Sequence, residues 1–209
     1  MKQALKLFTI STCMFGAMFI LNSCNSSGNK TESATTDTTS TTTAPAPAPD
    51  TATAAPAPAK LTDPEIASVA VTADQIDIDY AAIAKKKSKN KQVLEFAATM
   101  ARDHGKVNQE AVALAKKLGV TPQDNPITQS LLAQAATTKD MLNSKSGSDF
   151  DTAYINNEVA YHKAAIGVVE NTLIPDATNP ELKALLQSAL PIFKGHLEHA
   201  EKIQAALSK

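Results

Sequence analysis

Residues 91–118 read KQVLEFAATMARDHGKVNQEAVALAKKL. Apolar residues recur there at steps of three and four: Val93, Phe96, Met100, Val107, Ala111, Leu114 and Leu118. That spacing lays them along one stripe of an α-helix, the stripe that packs into a core. His104 stands in the middle of the stripe, where a packed helix takes leucine. The pattern returns twice downstream. Ile155, Val159, His162, Ile166, Val169 and Leu173 form a second seam; Leu182, Leu186, Ala189, Phe193, His196, Ala200, Ile203 and Leu207 form a third. Three of the four histidines thus sit on three apolar seams. Buried imidazoles need partners inside the protein: each other, carboxylates, backbone carbonyls or a metal ion. The reading is an all-α protein with a polar site in the middle of a helix bundle.

Punctuation delimits five helices, and no strand pattern competes. Asp63-Pro64 reads as an N-cap followed by proline at the first helical position. Ile66, Val69, Ala73, Ile76, Tyr80 and Ile83 then line one face. Ser88 to Asn90 breaks and recaps the chain, Gly119 and Pro122 stop the second helix, and Asn125-Pro126 opens a shorter third. Gly147-Ser148-Asp149 opens the fourth, which is expected to end before Pro175, and Asn179-Pro180 opens the fifth. Pro191, inside the fifth, frees the carbonyl of Gln187 and is expected to bend the helix around the core. Short connections make neighbours antiparallel, giving a four-helix bundle with one additional short helix over residues 61–209. At ~1.5 Å per residue, and if the third helix carries the chain back to the same end, Asp77, His104 and His162 fall in one middle band, with His196 within a couple of turns of it.

The N-terminus reads differently. Lys2 and Lys6 precede an uncharged apolar run from Leu7 to Leu21, too short for a comfortable membrane span. It ends in Leu21-Asn22-Ser23-Cys24, which resembles a bacterial lipobox. Residues 1–23 are therefore expected to be a lipoprotein signal peptide and Cys24 the lipidated residue, the link to a membrane. Asn25 follows, and by resemblance the absence of Asp there points to the outer membrane, with the domain facing the periplasm. Residues 24–60 make a Thr/Ala/Pro-rich tether with nothing to form a core. Once Cys13 and the anchor Cys24 are accounted for, no thiol remains for a disulfide, thiolate metal site or nucleophile. Removing the two signal-peptide lysines leaves 18 basic against 21 acidic residues, net −3. That balance argues against a nucleic-acid partner; the sequence names no protein partner.

The candidate site is His104, His162 and His196 with Asp77 and Glu158, and Asp103 and His199 nearby. Glu158 precedes His162 by four residues and shares its helix face. Such a set suits a single Zn, Cu or Fe ion. It equally allows a core of histidines that are only hydrogen-bonded to acids and carbonyls. No catalytic residue is assigned, since no nucleophile, phosphate loop or substrate motif appears.

The stretch Asp77-Ile78-Asp79-Tyr80-Ala81-Ala82-Ile83-Ala84, then Phe96-Ala97, Met100 to His104, Gly147, Phe150-Asp151, Tyr154, Val159, His162, Leu190-Pro191 and His196-Leu197 resembles bacterial domain-of-unknown-function family number 4142. The resemblance covers about residues 62–207. It implies a ferritin-like bundle in secreted proteins or lipoproteins, with no settled activity, and Asp77 stands where members typically have Glu. Di-iron bundles of that type carry a Glu-x-x-His on each of two helices. Here Ala101 precedes His104 and Phe193 precedes His196 at that distance, so a bridged pair of irons is not expected. Three readings follow: a metal-binding envelope lipoprotein, a non-enzymatic structural or stress-associated interaction module, and, with least support, a mononuclear redox enzyme.

Overall fold

The structure, a computed structural model, describes residues 60–209. The expected signal peptide, the lipidated Cys24 and the tether lie outside the described residues. The helices are α1 (Asp63–Lys87), α2 (Lys91–Leu118), α3 (Pro126–Ser144), α4 (Gly147–Val168), α5 (Ile174–Asp176) and α6 (Pro180–Leu207). A π-helical turn, Val169–Leu173, joins α4 to α5 in one continuous rod. The described residues contain no strand and no helix long and apolar enough to cross a membrane.

Local chemistry explains the helix ends. Asn90, Asn125 and Asn179 each accept two backbone N–H bonds at the starts of α2, α3 and α6. Gly119 ends α2 in the left-handed conformation, φ 66°, which glycine enters without a Cβ clash. Two expectations need correction. The cap of α1 is Thr62, not Asp63, because the Thr62 amide and hydroxyl both donate to Glu65 Oε2, at 2.8 and 2.7 Å. Asp63 instead accepts from the Thr178 amide and hydroxyl and the Asn179 amide, tying α1 to the start of α6. The fourth helix does not stop before Pro175. A π turn precedes Pro175, with the Ile174 amide donating to the Val169 carbonyl five residues back, and the rod runs on to Asp176. Helix α6 likewise continues through Pro191.

These ties also give the directions. Gln123 at the exit of α2 donates to the Pro64 carbonyl at the start of α1, so these two run antiparallel. Lys87 at the end of α1 donates to the Asn143 carbonyl at the end of α3, so those run together. Helices α1, α3 and α6 thus run one way and α2 and α4 the other. The core falls into two apolar clusters. One gathers Ile76, Tyr80, Phe96, Met100, Phe150, Tyr154 and Ile155. The other, toward the start of α1, gathers Ile66, Val69, Val107, Ile166, Leu173, Leu186 and Phe193. Polar side chains interrupt every long seam between them: Asp74 after Val69, His104 before Val107, His162 before Ile166, His196 after Phe193.

Candidate metal centre

Four helices converge on this polar layer. Asp74 and Asp77 come from α1, His104 from α2, Glu158 and His162 from α4, and His196 from α6, and all six are buried. The antiparallel packing therefore unites all five candidate ligands drawn from the sequence. Each imidazole is held by one nitrogen. His104 Nδ1 donates to Asp74 Oδ1 at 2.8 Å. His162 Nδ1 donates to the main-chain carbonyl of Glu158 at 3.0 Å. His196 Nε2 donates to Asp103 Oδ2 at 3.0 Å. These partners, rather than observed protons, assign the tautomers.

The other nitrogens face one another. His104 Nε2 lies 3.4 Å from His162 Nε2. Asp77 Oδ2 lies 3.1 Å from the first and 3.5 Å from the second. With Nδ1 protonated on both rings, each Nε2 presents a lone pair, and two lone pairs beside a carboxylate oxygen repel unless a proton or cation joins them. The triangle of 3.1, 3.4 and 3.5 Å matches one face of a tetrahedral ion, because metal bonds of ~2.0–2.1 Å separate ligand atoms by ~3.3 Å. His196 Nδ1 is buried without a hydrogen-bond partner, and one ring nitrogen from each of the three histidines lies within 4.8 Å of the others. The donors present fit a metal ion.

Electrostatics sharpen this. Burial pushes the Asp77 carboxyl up to about 6, and the Asp74 charge adds to the rise while His104 opposes it. Burial drives His162 down to about 3, so its ring stays neutral. Burial also lowers His104, but the Asp77 and Asp74 carboxylates outweigh it and the net shift is upward. Glu158 is held well above the carboxylate range, first by burial and then by Asp77. Two ionised carboxylates cannot hydrogen-bond each other, and all four oxygens of Asp77 and Glu158 then lack a donor. With Glu158 protonated the pair shares one hydrogen bond. Asp103, by contrast, is half-exposed, and Arg102 holds it down to about 2.

Glu158 does not orient His162 through its carboxylate, which stays 3.6 Å from Nδ1; its main chain does. His199 is exposed, with its ring edge-on to Phe96 at 5.3 Å, and takes no part. The sequence reading missed Asp74. It lies one turn before Asp77, a spacing that puts both carboxylates on one face of α1 but does not say that the face is buried.

A family model described as a domain of unknown function (DUF4142) matches residues 48–203. The chain belongs to this family. No curated protein matches the DUF4142 chain. Two solved structures share its fold. One is a DUF305 fragment from Deinococcus radiodurans, 15% identical, with a TM-score of 0.57 over 71% of this chain and 99% of the fragment. The other is CopM in its Cu(II)-bound form, 16% identical, with a TM-score of 0.55 over 71% of this chain and 99% of that one. At these identities the likeness establishes a helical bundle of the same type. The DUF4142 chain is thus an all-α module with two buried groups, one of His104, His162 and His196 and one, sharing His162, with Asp77 and Glu158, each close enough together to hold an ion.

Proposed function

We propose that this module binds one transition-metal ion in its core and presents it in the cell envelope as a periplasm-facing lipoprotein, anchored in the outer membrane through Cys24. His104 Nε2, His162 Nε2 and Asp77 Oδ2 supply three donors and His196 Nδ1 the fourth. Glu158 lies beside Asp77 and shares a hydrogen bond with it. The observation that carries the reading is the outward tethering of all three rings, by Asp74, the Glu158 carbonyl and Asp103. Outer acceptors of that kind fix the tautomer and aim of metal-bound histidines. Imidazole-rich sets favour Cu(II) and Zn, and the Cu(II) form of the similarly folded CopM makes copper the first ion to test. Four protein donors close the coordination shell, which suits holding or buffering an ion rather than turning over a substrate.

The test is metal analysis of untagged protein after loading with Cu(II) or Zn and desalting. One ion per chain is expected, with none retained by His162→Ala. Absence of stoichiometric metal in the wild type rejects the reading. In cells, Cys24→Ser is expected to move the chain from the membrane to the soluble fraction, and an unchanged distribution rejects the anchor.

A second reading has one observation in its favour. A protonated His104 between Asp74 at 2.8 Å and Asp77 at 3.1 Å satisfies much of the layer without an ion. The layer is then a structural element of a non-enzymatic module, and added metal leaves melting unchanged.

A further inference from the structure

The bundle is not filled on the side of the histidine layer toward the start of α1. A chamber of about 250 Å³ begins at His104, His162 and Phe193 and extends to Leu118 and Leu182 near that end. It reaches the surface between α3 and α4, where its lining residues Gln134, Ala160 and Ala164 are exposed. The space exists because the walls use alanine where a bundle takes leucine: Ala70 and Ala73 on α1, Ala111 on α2 and Ala165 on α4. An empty apolar cavity costs stability roughly in proportion to its volume. Water is a poor occupant, since a buried water needs two to four polar partners and most of this wall offers none.

The lining also selects by charge. It contains no lysine or arginine, and His104 is already paired with Asp74 and Asp77, so an anion finds no free counter-charge. Its two carboxylates are engaged, Asp74 by His104 and Asp63 by Thr178 and Asn179, so beyond the histidine layer a cation finds no free partner. An apolar cavity of ~150 Å³ admits benzene, and this one is larger by about another half-ring to a ring.

We propose that the chamber binds a neutral, largely hydrocarbon small molecule, of about the size of two fused aromatic rings, between α1, α2, α3 and α4. The site stands on its own geometry and does not depend on the metal reading.

The test is a fluorescence titration of the full chain with 1-naphthylamine, uncharged at neutral pH. The chain has no tryptophan to interfere. Saturable one-to-one binding with blue-shifted emission is expected, and 1-naphthoate, the same rings bearing a carboxylate, is expected to bind at least ten-fold more weakly. Ala111→Leu and Ala165→Leu fill the chamber from different helices. Each is expected to weaken binding at least ten-fold while melting no lower than wild type. If one fails to fold by circular dichroism, the other and the naphthoate comparison still decide. No saturable binding, equal binding by a folded filled variant, or equally tight naphthoate overturns the proposal. Metal content measured on the same samples separates this outcome from the fate of the metal reading.

Discussion

Asp74 is the residue on which the candidate centre turns, although it is not itself a donor to the proposed ion. Its carboxylate fixes the His104 ring at 2.8 Å and fixes Nδ1 as the protonated nitrogen, leaving the Nε2 lone pair aimed at Asp77 and His162. Outer partners of this sort typically contribute 10- to 100-fold in metal affinity. Asp74→Asn keeps an acceptor of the same shape but removes the charge, so metal affinity is expected to fall by roughly 10-fold or more with helicity unchanged. Competition with a chromophoric chelator at fixed pH measures it. Asp79→Asn, whose carboxylate pairs with Lys139 outside the layer, is the control and should leave affinity unaltered. Equal affinities for wild type and Asp74→Asn would remove the orienting role. The three histidines were legible because each breaks an apolar period, and Asp77 and Glu158 because they stand beside such seams. Asp74 was not, because one carboxylate a turn from another reads as a second exposed charge until α2 and α4 close over it.

At the scale of the element, the helices were legible and their joints were not. Asparagine caps and Gly119 mark boundaries by local chemistry, which sequence displays. The π turn at Val169–Leu173 depends on how a rod accommodates Pro175, and no local pattern announces it. The cap of α1 was misplaced by one residue because Asp63 is as good a cap type as Thr62, and only the contact with Thr178 and Asn179 draws Asp63 away. That cap makes a prediction about pH. The Thr62 amide, then its hydroxyl, holds the Glu65 carboxyl below its ordinary value of 4.5. A carboxylate depressed in the folded state adds stability that is fully present above its unfolded pKa and lost as pH falls through the folded one. Glu65→Gln lacks that increment. Its melting temperature is expected to lie below wild type at neutral pH, and the two curves to converge as the pH drops below about 4.5. Parallel curves down to strong acid would show that the bond does not titrate.

Across the whole molecule, a polar layer divides two apolar clusters, and that arrangement is a poor way to gain stability. Breaking one partner out of a buried charged network typically costs ~3–5 kcal/mol, whereas replacing the whole network by packed apolar residues is neutral or stabilising by ~1–4 kcal/mol. In ion-free protein, His104→Leu alone strands Asp74 and Asp77 in the core and is expected to sit at the costly end of that scale. The combined variant Asp74→Leu, Asp77→Leu, His104→Leu, Glu158→Met and His162→Leu is expected to be at least as stable as ion-free wild type, because no charge is left without a partner; His196 keeps its bond to Asp103. Urea melts in the presence of a chelator compare the three. Adding metal at a hundred times its Kd should then raise wild type by ~2.7 kcal/mol and leave the combined variant unmoved. A combined variant less stable than His104→Leu would mean the layer is there to hold the bundle together. The expected order, with the apolar variant stable but blind to metal, would mean that the bundle bears the layer for the ion it binds.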